Sequence, residues 1–268
     1  MSDEDSSLEE KRVYADKDTT TEVYVAAGLG LARVSVSADL VGEFGLVYRG
    51  ETLDVTVSNG RVAVATPQDV LVASTGDDEL RFVETGFGPA TAVGDHDGLV
   101  AAGGGRVGRF DGQRWRSLGQ VDDVRAIDGD LVAAGSGVHR LDGTHFGLDD
   151  ARDVAVETDV LAATADGLYR LGNGWMRELT GDVRTVAAGC RAKSDVTLVH
   201  AATTETLYER RDGRFVPVET SVSEPVVDIG YGAATYAVTV DGTFLADAGD
   251  GWRRRSLGLA DVAALATR

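Results

Sequence analysis

The stretch Asp123–Phe146, DVRAIDGDLVAAGSGVHRLDGTHF, decides the fold. A short run, Asp123–Ile127, ends at the turn Asp128-Gly129-Asp130, and the apolar segment Leu131–Ala134 follows. Gly135-Ser136-Gly137 then turns the chain into Val138–Leu141, and Asp142-Gly143 turns it again toward Phe146. Asp-Gly between two extended runs marks a tight hairpin, because the turn needs residues that tolerate positive φ. The second run is apolar throughout, the pattern of a strand buried on both faces. Outer runs such as Trp252–Leu257 are charged, as an exposed edge requires. Four short strands graded from buried to exposed therefore fit into one unit.

The unit repeats. VYVAAG (Val23–Gly28), VAVAT (Val62–Thr66), LVAAG (Leu99–Gly103 and again Leu131–Gly135), VLAAT (Val160–Thr164), LVHAAT (Leu198–Thr203) and YAVT (Tyr236–Thr239) are copies of one buried strand. Anchored at Ala27, Ala65, Ala102, Ala134, Ala163, Ala202 and Val238, they recur at intervals of 38, 37, 32, 29, 39 and 36 residues. Periods of this size mean a repeat architecture, and four-stranded antiparallel units arranged radially make a β-propeller. The expected fold is all-β with seven blades, six or eight being the alternatives. No stretch carries a helical period. The turns Asp111-Gly112, Asp142-Gly143, Asn173-Gly174, Asp212-Gly213 and Asp250-Gly251 are each followed by an aromatic, at Trp115, Phe146, Trp175, Phe215 and Trp252, which is expected to pack against the next blade. Asp261–Ala266 reads as a first strand with no second strand after it, so it is expected to close the ring. Arg12–Ala15 competes for the same innermost place. The domain reading is a disordered acidic tail over 1–10 and a single β-propeller domain over 11–268.

Gly137–Gly143 with Phe146, and Asp166–Leu171 with Asn173-Gly174-Trp175, resemble the blade motif of propellers fused to two-component sensors and of photosystem assembly-factor propellers. The acidic chain as a whole resembles a haloarchaeal β-propeller family. That resemblance implies a fold and a compartment, and no activity.

The 268 residues carry 44 acidic and 26 basic side chains, a formal charge of −18, and the only lysines are Lys11, Lys17 and Lys193. Many acids, few lysines and many small residues suit molar salt, where the Debye length is about 3 Å and carboxylates repel one another weakly. The expected localisation is cytoplasmic, in a halophile: Met1–Glu10 has neither the basic nor the apolar region of a secretory signal. A nucleic-acid partner is not expected, since the densest basic run, Arg253-Arg254-Arg255, is short and isolated. No apolar run reaches the roughly 18 residues a spanning helix needs, so no membrane partner is expected either. With Cys190 as the sole cysteine, an internal disulfide and a thiolate zinc site are both excluded.

No G-x-S-x-G elbow is present, and Gly135-Ser136-Gly137 is a turn. No repeated Asp-box of the sialidase kind occurs either, so no catalytic residue and no cofactor is assigned. The one metal candidate is Asp95-His96-Asp97, two carboxylates and an imidazole in a loop between first and second strands. Asp95, Asp97, Asp128, Asp130, Glu157, Asp159 and Asp195 fall in such loops, which a propeller presents on one face. That face is the candidate surface for a protein partner. His200, in a buried-type strand, is expected as a core histidine, and Arg125, Asp153 and Asp228 are placed near the central tunnel. The functional expectation is a non-enzymatic scaffold for protein interaction, the alternatives being a hydrolase or lyase at the tunnel mouth and a small-ligand sensing module.

Overall fold

The computed structural model describes residues 20–75, 79–191 and 197–268. Arg12–Ala15 and Asp195 lie outside the described residues. Seven four-stranded antiparallel sheets form a ring. Blade 1 consists of Thr20–Ala27, Gly30–Ser37 and Leu40–Arg49, with Val262–Thr267 from the end of the chain as its innermost strand. Blades 2 to 7 are simple meanders whose innermost strands are Asp54–Ser58, Ala92–Asp95, Val124–Asp128, Ala151–Ala155, Val183–Cys190 and Val226–Tyr231. The C-terminal strand therefore closes the ring by pairing with Thr20–Ala27, Leu265 opposite Val25. Among the described residues no helix is long and apolar enough to cross a membrane.

The grading read from composition is the grading of the blades. Leu131–Ala134 and Leu161–Thr164 are buried along their whole length, whereas Arg253–Ser256, the outermost strand of blade 7, is exposed along its whole length. Small second-strand residues are required because each such strand is covered on both faces by neighbouring blades. The turn Asp212-Gly213 has φ of 50° and 75°, the left-handed pair that a two-residue hairpin demands.

Two sequence readings need correction. The register places Ala26 opposite Ala264, Ala133 opposite Ala126 and Ala163 opposite Asp153. The equivalent anchors of blades 1 and 4 are thus Ala26 and Ala133, one residue before Ala27 and Ala134. An Ala-Ala pair makes both positions look alike, and bulges in the inner strands absorb the extra residue. The tryptophans also pack on the preceding blade, not the next. Trp115 lies edge-on to Phe87 at 4.6 Å and donates its indole N–H to Thr85 Oγ1, while Trp175 donates to the Phe146 carbonyl at 2.9 Å. Trp115 sits opposite Phe110, and that parity turns both rings toward blade 2.

Candidate functional site: the central channel

The seven innermost strands surround a cavity of about 570 Å³. Its walls follow from strand parity. Inner strands of blades 4, 5 and 6 carry bulges next to Val124, Ala151 and Val183, and the residues at those bulges, Arg125, Arg152 and Arg184, all line the channel. None of the three is a bare cation. Arg125 bridges Asp150 at 2.6 Å and Asp123 at 3.1 Å, Arg152 pairs with Asp182, and Arg184 lies 3.7 Å from Asp182.

The next position inward holds the channel carboxylates. Asp54, Asp153 and Asp228 occupy equivalent register positions, opposite Ala65, Ala163 and Val238. Each spans the seam to the following blade by the same device. One oxygen accepts the N–H of the next residue, and the other accepts a backbone N–H of the neighbouring inner strand: Val93 for Asp54 (2.9 Å), Val186 for Asp153 (2.9 Å) and Leu265 for Asp228 (2.7 Å). Asp153 also accepts the Thr185 hydroxyl at 2.7 Å. Asp128, two residues beyond the equivalent position of blade 4, accepts Val156 N–H at 2.9 Å and joins blades 4 and 5.

The remaining seams are closed by neutral groups. Thr52 Oγ1 exchanges two hydrogen bonds with the backbone of Ala27 between blades 1 and 2, and Thr91 Oγ1 donates to the Val124 carbonyl between blades 3 and 4. Between blades 6 and 7, Tyr231 donates its hydroxyl to the Ala187 carbonyl at 3.1 Å. That hydroxyl has no second proton, so His200 Nδ1, at 2.9 Å, must be the donor to its oxygen. His200 is therefore the Nδ1–H tautomer, a neutral core histidine as expected.

Burial dominates the electrostatics of the wall. It pushes Asp54 up to about 7 and Asp153 up to about 6, against the opposing pull of the backbone N–H donors. Asp228 is raised well above the usual carboxylate range by burial and by the charge of Asp153, and Asp128 is raised by burial too. Burial lowers His200 to about 4 and raises the Tyr231 hydroxyl.

The loop acids are dispersed by the fold. Asp95 accepts Gly98 N–H at 3.4 Å, and His96 Nε2 lies 4.0 Å from Asp97, whose φ is 51°. Among the described residues no cluster of three or more His, Cys, Asp or Glu side chains could hold a metal ion, and Asp95, His96 and Asp97 do not converge. Asp128 and Glu157 also line the channel, Glu157 with an exposed side chain. Asp130 is bound by Arg140, and Asp159 by Arg210 at 2.5 Å.

Arg125, Asp153 and Asp228 line the channel, where sequence reasoning put them. Asp54, Thr52, Thr91 and Tyr231 were missed. A signal for Asp54 existed: Asp54-Val55, Asp153-Val154 and Asp228-Ile229 are the same dipeptide type, ten or eleven residues before the second-strand anchor. The seam threonines carry no such mark.

A seven-bladed ring whose inner strands are stapled side chain to backbone defines the class of protein: a β-propeller. More narrowly, the chain belongs to the family described as "Beta-prop_HVO_0234:-like, beta propeller", which matches residues 7–268. Among curated proteins none matches the sequence. Solved structures with the same fold include the WD40 domain of Neurospora crassa Pan2 (TM-score 0.61, 10% identity, covering 91% of this chain and 89% of that one). The WD40 repeats of RRP9 give 0.61 at 11% identity, covering 92% and 90%. The computationally designed Ika8 protein gives 0.58 at 16% identity, covering 91% and 86%. Identities this low carry the fold alone.

Proposed function

We propose that this propeller is a non-enzymatic scaffold that holds a protein partner inside the cell. The observation that carries the reading is a surface patch where blade 7 meets blade 1. Phe44, on the outermost strand of blade 1, is 37% exposed beside the exposed arginines Arg253, Arg254 and Arg255 of blade 7, and Leu40, on the same edge strand, is 58% exposed. Arg253 reaches Asp39 at 2.5 Å, and Arg255 lies over the Phe44 ring at 5.8 Å, so apolar and cationic groups form one surface. Exposed apolar groups rimmed by polar ones are typical of interaction sites. The channel supports the same reading over a hydrolase, because the four carboxylates with raised pKa are all spent on backbone N–H donors between blades.

The experiment is affinity capture of the tagged protein at native salt, comparing wild type with Leu40→Asp/Phe44→Ser and with Asp95→Asn/Asp97→Asn. A stoichiometric partner lost only in the Leu40 and Phe44 variant supports this patch. Loss only in the Asp95 and Asp97 variant moves the partner to the acidic loop face. Absence of any partner at all loadings overturns the scaffold.

A further inference from the structure

We infer that the outer edge of blade 7, Arg253–Ser256, receives an extended acidic peptide segment as an added strand. This rests on the scaffold reading and names its partner by chemistry. The strand pairs with Thr243–Asp247 on one side only, so its other side is a row of backbone groups open to a further strand.

Side-chain parity fixes what such a strand would meet. Phe244 and Ala246, which pack toward blade 1, stand opposite Arg255 and Arg253, and Leu245, which packs toward blade 6, stands opposite Arg254. Arg253 and Arg255 therefore project on the blade 1 side, beside Phe44, and Arg254 on the other, where it donates to the Ser221 carbonyl at 2.6 Å. Arg254 and Arg255 have no carboxylate partner among the described residues. In a chain of net charge −18, three adjacent exposed arginines are a local inversion of the field.

An incoming strand with Asp or Glu at alternate positions would place carboxylates beside Arg253 and Arg255, a favourable cross-strand pairing. Its intervening apolar residues would lie on the opposite face. A peptide is favoured over a polyphosphate strand because the open edge offers peptide-spaced N–H and C=O groups, which nucleic acid cannot pair in register. Edge arginines also serve to block self-pairing of sheets, and the test separates the two roles.

The test is fluorescence anisotropy of a labelled ten-residue peptide alternating Glu and Val, at the lowest KCl concentration that preserves the far-UV circular dichroism of the fold. The Lys-Val counterpart, the Glu-Val peptide N-methylated at alternate amides, and a ten-nucleotide oligouridine are run beside it. We expect saturable binding of the Glu-Val peptide only, weakened at least tenfold by Arg255→Glu and by backbone methylation, and unchanged by Arg81→Ala on blade 2. Equal binding of oligouridine, indifference to Arg255→Glu, or no saturable binding overturns the inference. So does self-association of Arg255→Glu without loss of peptide binding, which would make the arginines edge guards. If the captured partner is retained by Arg255→Glu and lost in Leu40→Asp/Phe44→Ser, the acidic-strand inference fails and the scaffold stands.

Discussion

At Asp153 two demands oppose one another. Its carboxylate accepts three hydrogen bonds, which favour the anion, while enclosure in the channel wall favours the neutral acid and wins, raising it to about 6. Asp54 is raised to about 7 from 3.8 for the same reason. A group that is raised on folding binds more protons in the folded state between its two values. The contribution of Asp54 and Asp153 is therefore complete below pH 3.8 and is lost as pH rises toward 7. His200 acts in the opposite sense: lowered from 6.5 to about 4, it contributes above pH 6.5, and the contribution is lost as pH falls toward 4. Urea unfolding from pH 4 to 8 is expected to show stability declining as pH rises from about 4 to 7, a decline that Asp54→Asn reduces and that His200→Phe steepens below pH 6.5. Asp153→Ala leaves Val186 N–H and the Thr185 hydroxyl without their acceptor, which costs about 1–3 kcal/mol. An unchanged urea midpoint in that variant would mean that channel water replaces the carboxylate fully.

Strands meet most tightly at the seams, and glycine records where. A Cβ on Gly94 would lie 2.8 Å from the Ile127 carbonyl oxygen and 2.8 Å from Ile127 Cγ2 in the next inner strand. Gly94→Ala is expected to destabilise the protein by about 1–3 kcal/mol through overpacking of that seam. Gly45, on the outermost strand of blade 1, has nothing within 4 Å of the equivalent point, and Gly45→Ala is expected to stay within about 0.5 kcal/mol of wild type. Thermal denaturation of the pair measures the contrast between inner and outer strands directly. At this scale the sequence was legible wherever composition is dictated by burial: second strands of Ala, Val and Leu, Asp-Gly turns and charged edges all stood out. Direction was less legible. The Trp115 and Trp175 rings turn to the preceding blade because of one-residue parity within the outer hairpin, and an Ala-Ala pair hides the bulge that sets the phase of blades 1 and 4.

For the whole molecule, closure is the decisive event. Removing residues 262–268 exposes the Thr20–Ala27 strand and takes the acceptor-seeking Leu265 N–H away from Asp228. We expect that truncation to bind a hydrophobic dye and to lose the single cooperative unfolding transition, as an opened ring must. Charge acts at the same scale. With a net charge of −18, the urea midpoint is expected to rise as KCl increases from 0.1 to 2 M, because screening weakens self-repulsion; a flat response would remove the halophilic reading.

Repeat period and strand grading were determined by the sequence alone, because both depend on local hydrophobic pattern and turn chemistry that recur through the chain; the choice of seven blades over six or eight, and of Val262–Thr267 as the closing strand, was settled by the ring itself. Which residues meet across a seam was decided only by the tertiary structure. Asp54 reaches Val93, Asp228 reaches Leu265, and Tyr231 holds His200 and Ala187, contacts set by ring geometry and strand register rather than by neighbours in the chain. The same geometry set Asp128 and Glu157 along the channel, and brought Phe44 to the arginines of blade 7 from the far end of the sequence.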